Sequence, residues 1–136
     1  MSTDIDGLKL PDDVKFTKSS EWAKQDGDVF IIGITDYAQS ELSDIVYVEF
    51  PDIGTVVEQS GEIGVVESVK AASDFYAPVA GEIVEVNETL QDSPEIMNKD
   101  PYGDGWFLKI KASDAYQFDG LMDAAAYKEF LKTEGH

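Results

Sequence analysis

The chain has 136 residues, and its 28 acidic side chains face ten lysines and no arginine, for a formal charge of −18. Such a polyanion repels phosphate backbones and anionic lipid, so neither nucleic acid nor a membrane surface is expected as a partner. There is no cysteine and the one histidine is the last residue, His136, which excludes disulfides, thiol catalysis, histidine triads and histidine-containing metal sites.

In chain order, residues up to Pro11 read as a loosely attached leading segment, followed by strand patterns over 14–17, 21–24 and 29–34. The last two flank Gln25-Asp26-Gly27-Asp28, whose Asp-Gly pair suits a tight hairpin turn. Residues 35–42 break the alternation and predict a short helix capped by Thr35 or Asp36. A strand over 45–50 follows, with Val46, Val48 and Phe50 expected on one face and Ile45, Tyr47 and Glu49 on the other. Residues 90–101 read as irregular, and 106–111 as a closing strand with Trp106, Leu108 and Ile110 on one side. From Asp119 onward, Leu121, Ala124, Tyr127, Phe130 and Leu131 recur at helical spacing, predicting a C-terminal helix over one end of the fold. Many short strands between Gly and Pro turns predict a mainly β fold of antiparallel sheets, a barrel or sandwich, in one domain over 1–136.

The centre of the chain repeats itself. Gly61-Glu62-Ile63-Gly64-Val65-Val66 and Gly81-Glu82-Ile83-Val84-Glu85-Val86 share Gly-Glu-Ile and a later Val, and Lys70 lies within one residue of the midpoint between Gly61 and Gly81. Antiparallel pairing of 65–69 with 75–79 would put Lys70 at or near a hairpin tip, with residues 70–74 as the turn and the two Gly-Glu-Ile arms about a local pseudo-two-fold axis. A long amine on a rigid corner, beside small Ala71 and Ala72, suits an enzyme that reaches the ε-amino group from outside. By spacing alone, an ordinary exposed lysine is the simpler reading.

The stretch Glu67-Ser68-Val69-Lys70-Ala71-Ala72-Ser73-Asp74, followed by Tyr76-Ala77-Pro78-Val79-Ala80-Gly81-Glu82, resembles the lipoyl-attachment segment of the glycine cleavage H proteins. Also similar to that family, in order, are Gly33-Ile34-Thr35-Asp36-Tyr37-Ala38-Gln39, Asp44-Ile45-Val46-Tyr47-Val48-Glu49, Glu85-Val86-Asn87 and Asp100-Pro101-Tyr102-Gly103-Asp104-Gly105-Trp106, so the likeness runs from about Val14 to Tyr127. Two departures stand out: Ser20-Glu21-Trp22 where the family has His-Glu-Trp, and Leu42-Ser43-Asp44 where it has Leu-Gly-Asp.

The resemblance implies a barrel-sandwich hybrid with lipoic acid in amide linkage to Lys70 (N6-lipoyllysine). The arm would carry the aminomethyl group of glycine from a pyridoxal-phosphate glycine decarboxylase to a tetrahydrofolate-dependent aminomethyltransferase, and electrons to dihydrolipoyl dehydrogenase. Glu67 and Asp74 bracket the lysine and are expected to serve its recognition by a lipoylating enzyme. The loaded arm would fold into a cleft near Ser19, Glu21 and Asp74. The expected protein is a cytoplasmic monomer in transient complexes, a carrier rather than an enzyme. A lipoyl relay to other acceptor proteins is the alternative. A biotinyl carrier would place Met on both sides of the lysine, where Val69 and Ala71 stand; a 2-oxoacid dehydrogenase lipoyl domain would show Asp-Lys-Ala in a shorter chain. A paired-carboxylate hydrolase rests only on the number of acids. Trp22 and Trp106 are expected to be packing residues and Gly103-Asp104-Gly105 a turn rather than a phosphate loop.

Overall fold

A computed structural model of the chain describes residues 7–114 and 116–133; His136 lies outside the described residues. Among the described residues, nine strands form two antiparallel sheets. The larger contains β1 (Lys15–Phe16), β2 (Glu21–Asp26), β3 (Val29–Ile34), β5 (Val56–Val57), β8 (Gly81–Val86) and β9 (Leu108–Ala112), in the order β1-β2-β3-β9-β8-β5. The smaller holds β4 (Ile45–Glu49), β6 (Glu62–Ser68) and β7 (Ala72–Tyr76), ordered β4-β6-β7. The helices are α1 (Asp36–Leu42), α2 (Thr89–Asp92), α3 (Ile96–Lys99), α4 (Tyr116–Asp119) and α5 (Ala124–Thr133). This is the mainly β, two-sheet architecture with a helix after the third strand and another at the C-terminal end that the sequence predicts.

The two Gly-Glu-Ile arms do not share a sheet. β6 pairs with β4 and β7, whereas β8 pairs with β5 and β9. Each arm nevertheless sends its isoleucine into the same core, and Ile63 and Ile83 are both fully buried. The repeat therefore encodes matched arms of two facing sheets, each interrupted by a bulge, between Glu62 and Gly64 in one and Ile83 and Glu85 in the other. Gly64 is required where it stands: its φ is +137°, and a Cβ there would collide with the Glu49 carbonyl and lie 3.0 Å from the Phe107 ring. Phe107 stacks on Phe75 with centroids 4.2 Å apart and rings 12° from parallel, which pins β7 to the opposite sheet.

A second cluster lies on the outer side of β1 and β2. Val14, Phe16, Trp22, Tyr127 and Leu131 are buried together, and Phe16 stacks on Tyr127 at 4.7 Å. Trp22 reaches across β3 over Gly33, its register partner, where a Cβ would lie 2.6 Å from the indole. Its Nε1 donates to the Pro101 carbonyl at 3.0 Å, which supports the packing reading of this residue. α5 starts later than the periodicity suggests. Gly120 ends α4, Met122 forms a bridge with Phe16, and the Asp123 carboxylate accepts the Ala126 N–H as a cap.

Four other expectations need correcting. Of the leading segment, residues 1–6 lie outside the described residues, and residues 8–10 are not loose: the Lys9 N–H donates to Asp36 Oδ2, Tyr102 Oη donates to the Lys9 carbonyl, and Leu8 and Leu10 pack on the second cluster. The stretch 90–101 contains single-turn helices α2 and α3, which bury Leu90 and Met97. The alternation in 45–50 is broken by a bulge between Ile45 and Tyr47, which leaves Val46 exposed instead of beside buried Val48. Finally, the turn is shorter than 70–74, because Ala72–Tyr76 is already strand.

Candidate functional site

Lys70 sits at the tip of the β6–β7 hairpin, where Glu67 pairs with Ala72 and the chain reverses through residues 68–71. Ser68 builds the turn. Its N–H donates to the Ala71 carbonyl, and its Oγ accepts from the N–H groups of Lys70 (3.1 Å) and Ala71 (3.0 Å). A single hydroxyl thus satisfies two amides that a turn of this length would leave to solvent. The tip is also tied sideways. The Val69 N–H donates to the Asp44 carbonyl at 3.0 Å, and Lys70 Nζ donates to the Glu41 carbonyl in the last turn of α1 at 3.3 Å.

The corner that receives the tip is fixed from α3. Asn98 Nδ2 donates to the Ser43 carbonyl (2.7 Å) and to Gln39 Oε1 (3.1 Å), while its Oδ1 accepts the Ile45 N–H (2.9 Å). Ser43 has a left-handed φ of +67° at the C-terminal cap of α1, where its N–H donates to the Gln39 carbonyl. The hydroxyl residue therefore holds the conformation for which the family's glycine is suited, with Asn98 bracing it.

Glu21, on β2, is 3% exposed and faces the inter-sheet space on the same side as Ala23. Its Oε1 accepts from Thr17 Oγ1 (2.7 Å) and Ser19 Oγ (2.5 Å), and its Oε2 accepts the Tyr76 N–H of β7 (3.2 Å). Burial pushes the carboxyl above its ordinary range, and the hydrogen bonds from Ser19, Thr17 and Tyr76 pull the other way. A small, partly enclosed groove beside it is lined by Ser19, Glu21, Ile34, Leu42, Val66 and Asp74, so the three cleft residues that the resemblance implies do converge. On its other side Glu21 borders a larger open cleft with Thr17, Gln59, Tyr76, Pro78 and Met122. That cleft is more capacious and also reaches the hairpin, at Tyr76 of β7, but it lacks Asp74 and the residues of α1.

Glu67 is half-buried opposite Tyr47 on β4, and Asp74 is exposed on β7, with Tyr76 Oη at 3.5 Å from its Oδ2. Both belong to the hairpin that carries Lys70, one on each arm. Sequence reasoning missed Thr17, Ser68 and Asn98. A Ser two residues before the lysine was a usable turn signal. Ser20, at the position of the family's histidine, is buried with a left-handed φ of +67°, and its Oγ accepts from Tyr127 Oη, which also contacts Thr35 Oγ1, each at 2.8 Å. Burial pushes the Tyr127 hydroxyl up to about 12. The Ser20 side chain is thus committed to the α5 interface.

The Gly103–Gly105 segment is a turn: the amides of Gly103, Asp104 and Gly105 all donate to Asp100. Among the described residues, no group of His, Cys, Asp or Glu could hold a metal ion, and no helix is long and apolar enough to cross a membrane.

Comparison with known proteins places this geometry in context. A family model described as glycine cleavage H-protein matches residues 14–134. The chain is 54% identical over 127 residues to a glycine cleavage system H protein of Thermus thermophilus, covering 93% of this chain and 99% of that one. It is 55% identical over 119 residues to the H protein of Beijerinckia indica, covering 88% and 96%. In three dimensions it is similar to the crystal structure of a glycine cleavage system H protein from Mycobacterium marinum, with a TM-score of 0.80, 34% identity, and coverage of 93% of this chain and all of that one.

Proposed function

The chain belongs to the glycine cleavage H-protein family, and on that premise we propose that Lys70 is its lipoyl-lysine and that the groove at Glu21 shelters the loaded arm. The observation that carries this reading is a juxtaposition. The exposed lysine and Asp74 are on one hairpin, and Glu21 and Ser19 are on the strand that braces it and the turn before that strand.

Lys70 fits the attachment. Lys70 is exposed at a corner braced by Ser68 and Asp44, so its amine can enter a modifying active site while the backbone stays ordered. Amide formation removes its charge and with it the ammonium–carbonyl contact to Glu41, which frees the arm to swing. When attached, lipoate supplies a disulfide that takes up an aminomethyl group with two electrons; the protein supplies the address and the shelter.

A primary amine on the carbon next to sulfur expels thiolate through its nitrogen lone pair, and protonation of that nitrogen blocks the loss. Glu21 is the anionic partner for the ammonium, with Ser19 and Asp74 as further hydrogen-bonding positions. Ile34, Leu42 and Val66 supply the apolar wall that limits water. The pyridoxal-phosphate decarboxylase, the tetrahydrofolate-dependent aminomethyltransferase, dihydrolipoyl dehydrogenase and a lipoylating enzyme are the partners. Reconstitution of glycine cleavage with Lys70→Arg tests the assignment. Activity is abolished while the fold is retained; lipoylation or turnover in the Lys70→Arg protein would refute it.

A further inference from the structure

β4 exposes two consecutive large apolar residues, Val46 at 53% and Tyr47 at 51%, in a strand whose alternation would turn one of them inward. The bulge between Ile45 and Tyr47 causes this, because it adds one residue opposite β6. The core loses nothing by it, since Ile45 and Val48 are each 2% exposed. Val69, at the hairpin tip, is 69% exposed, and its N–H is bonded to the carbonyl of Asp44, immediately before β4. Three large apolar side chains thus lie beside Lys70, where nothing in the fold requires them. Carboxylates surround them: Asp44 and Glu49 are exposed on the same strand and its approach, Glu67 pairs with Tyr47, and Asp74 lies across β6.

We propose that Val46, Tyr47 and Val69 form the docking patch for the enzyme that acylates Lys70, one presenting an apolar pocket rimmed by Lys or Arg. The proposal rests on the reading of Lys70 as the attachment site. Reach selects this occupant over the other partners. A lysine side chain extends about 6 Å from its Cα, so an enzyme bonding to Nζ must touch the tip and its neighbours. Partners that work at the far end of a lipoyl-lysine arm act roughly 12–15 Å from the backbone and have no such obligation. The carboxylate rim selects a cationic counterpart. With a lipoyl adenylate as donor, an amide forms between the lipoyl carboxyl carbon and Nζ. The anhydride bond to phosphate breaks, the electron pair leaves with AMP, and two ammonium protons go to solvent.

The test uses the unlipoylated full chain, lipoyl adenylate and a lipoate–protein ligase, with the carrier as varied substrate. Val46→Ser combined with Tyr47→Ser raises KM for the carrier at least tenfold and leaves kcat within twofold. Ile53→Ser combined with Val56→Ser removes comparable exposed apolar surface away from Lys70 and leaves KM within twofold. A binding readout independent of acylation comes from Lys70→Arg, which inhibits competitively; adding the two β4 substitutions weakens that inhibition about tenfold. Unchanged KM and inhibition in the β4 variant overturn the patch. So does a concentration-dependent wild-type dimer that the two substitutions dissolve, since the occupant would then be a second copy. Failure of the wild type itself to take a lipoyl group on Lys70 is a different result, which removes the lysine assignment instead.

Discussion

The backbone N–H of Tyr76 donates to Oε2 of Glu21 at 3.2 Å, so a buried carboxylate on one sheet holds the return strand of the lysine hairpin on the other. The same carboxylate lines the groove at the foot of that hairpin. Position and electrostatics are therefore joined in one side chain.

Burial raises the Glu21 carboxyl above its ordinary 4.5, which fixes the sign of its pH linkage. The native state retains this proton after the unfolded chain has lost it, so stability falls as pH rises from about 4.5 through the raised value and is level above it. Other carboxylates titrate too, and the comparison with Glu21→Gln isolates this one. The unfolding free energy of wild type minus that of Glu21→Gln, from urea titrations at several pH values, declines across that window. A difference that climbs with pH would mean a depressed carboxyl.

Glu21→Ala leaves lipoylation of Lys70 intact and shortens the lifetime of the aminomethyl-loaded protein several-fold when no transferase is present. Ammonia and formaldehyde release, followed in time, reads this out. Release no faster than from wild type would place the shelter elsewhere.

Asn98→Ala removes the brace from residues 43–45. Loss of its hydrogen bonds costs about 1–3 kcal/mol, and the Val69 amide, bonded to Asp44 O, exchanges with deuterium faster than in wild type. Unaltered exchange at Val69 would show that the hairpin tip does not depend on this corner. Glu67→Ala, on the arm itself, slows lipoylation through weakened presentation to the modifying enzyme; equal rates would remove that role.

The place of Lys70 at a hairpin tip was legible because the hairpin flanks alternate and the lysine lies midway between two similar arms. The groove residues were placed by resemblance alone, since nothing local marks Glu21 as buried: it follows two serines and begins an ordinary strand. Its burial depends on Tyr76, 55 positions away. Asn98 was invisible for the same reason, as its partners lie more than 50 positions off. α2 and α3 were missed because four residues are too few to show a helical period. The β4 bulge was missed because Ile-Val-Tyr-Val-Glu satisfies strict alternation as written, and the extra residue exists only relative to β6.

The charge of −18 predicts steered association with basic partner faces. Between about 0.01 and 0.15 M salt the Debye length shrinks from about 30 to 8 Å, and the association rate with the aminomethyltransferase falls several-fold or more in stopped flow. A flat profile would return the acidity to surface hydration.

The attachment of lipoate to Lys70 is tested most directly by the intact mass of the protein purified from its native host, followed by peptide mapping. The account predicts a mass increase of one lipoyl group, confined to the peptide that contains Lys70. An unmodified chain from cells with active glycine cleavage, or a lipoyl group on any of the other nine lysines, would contradict it.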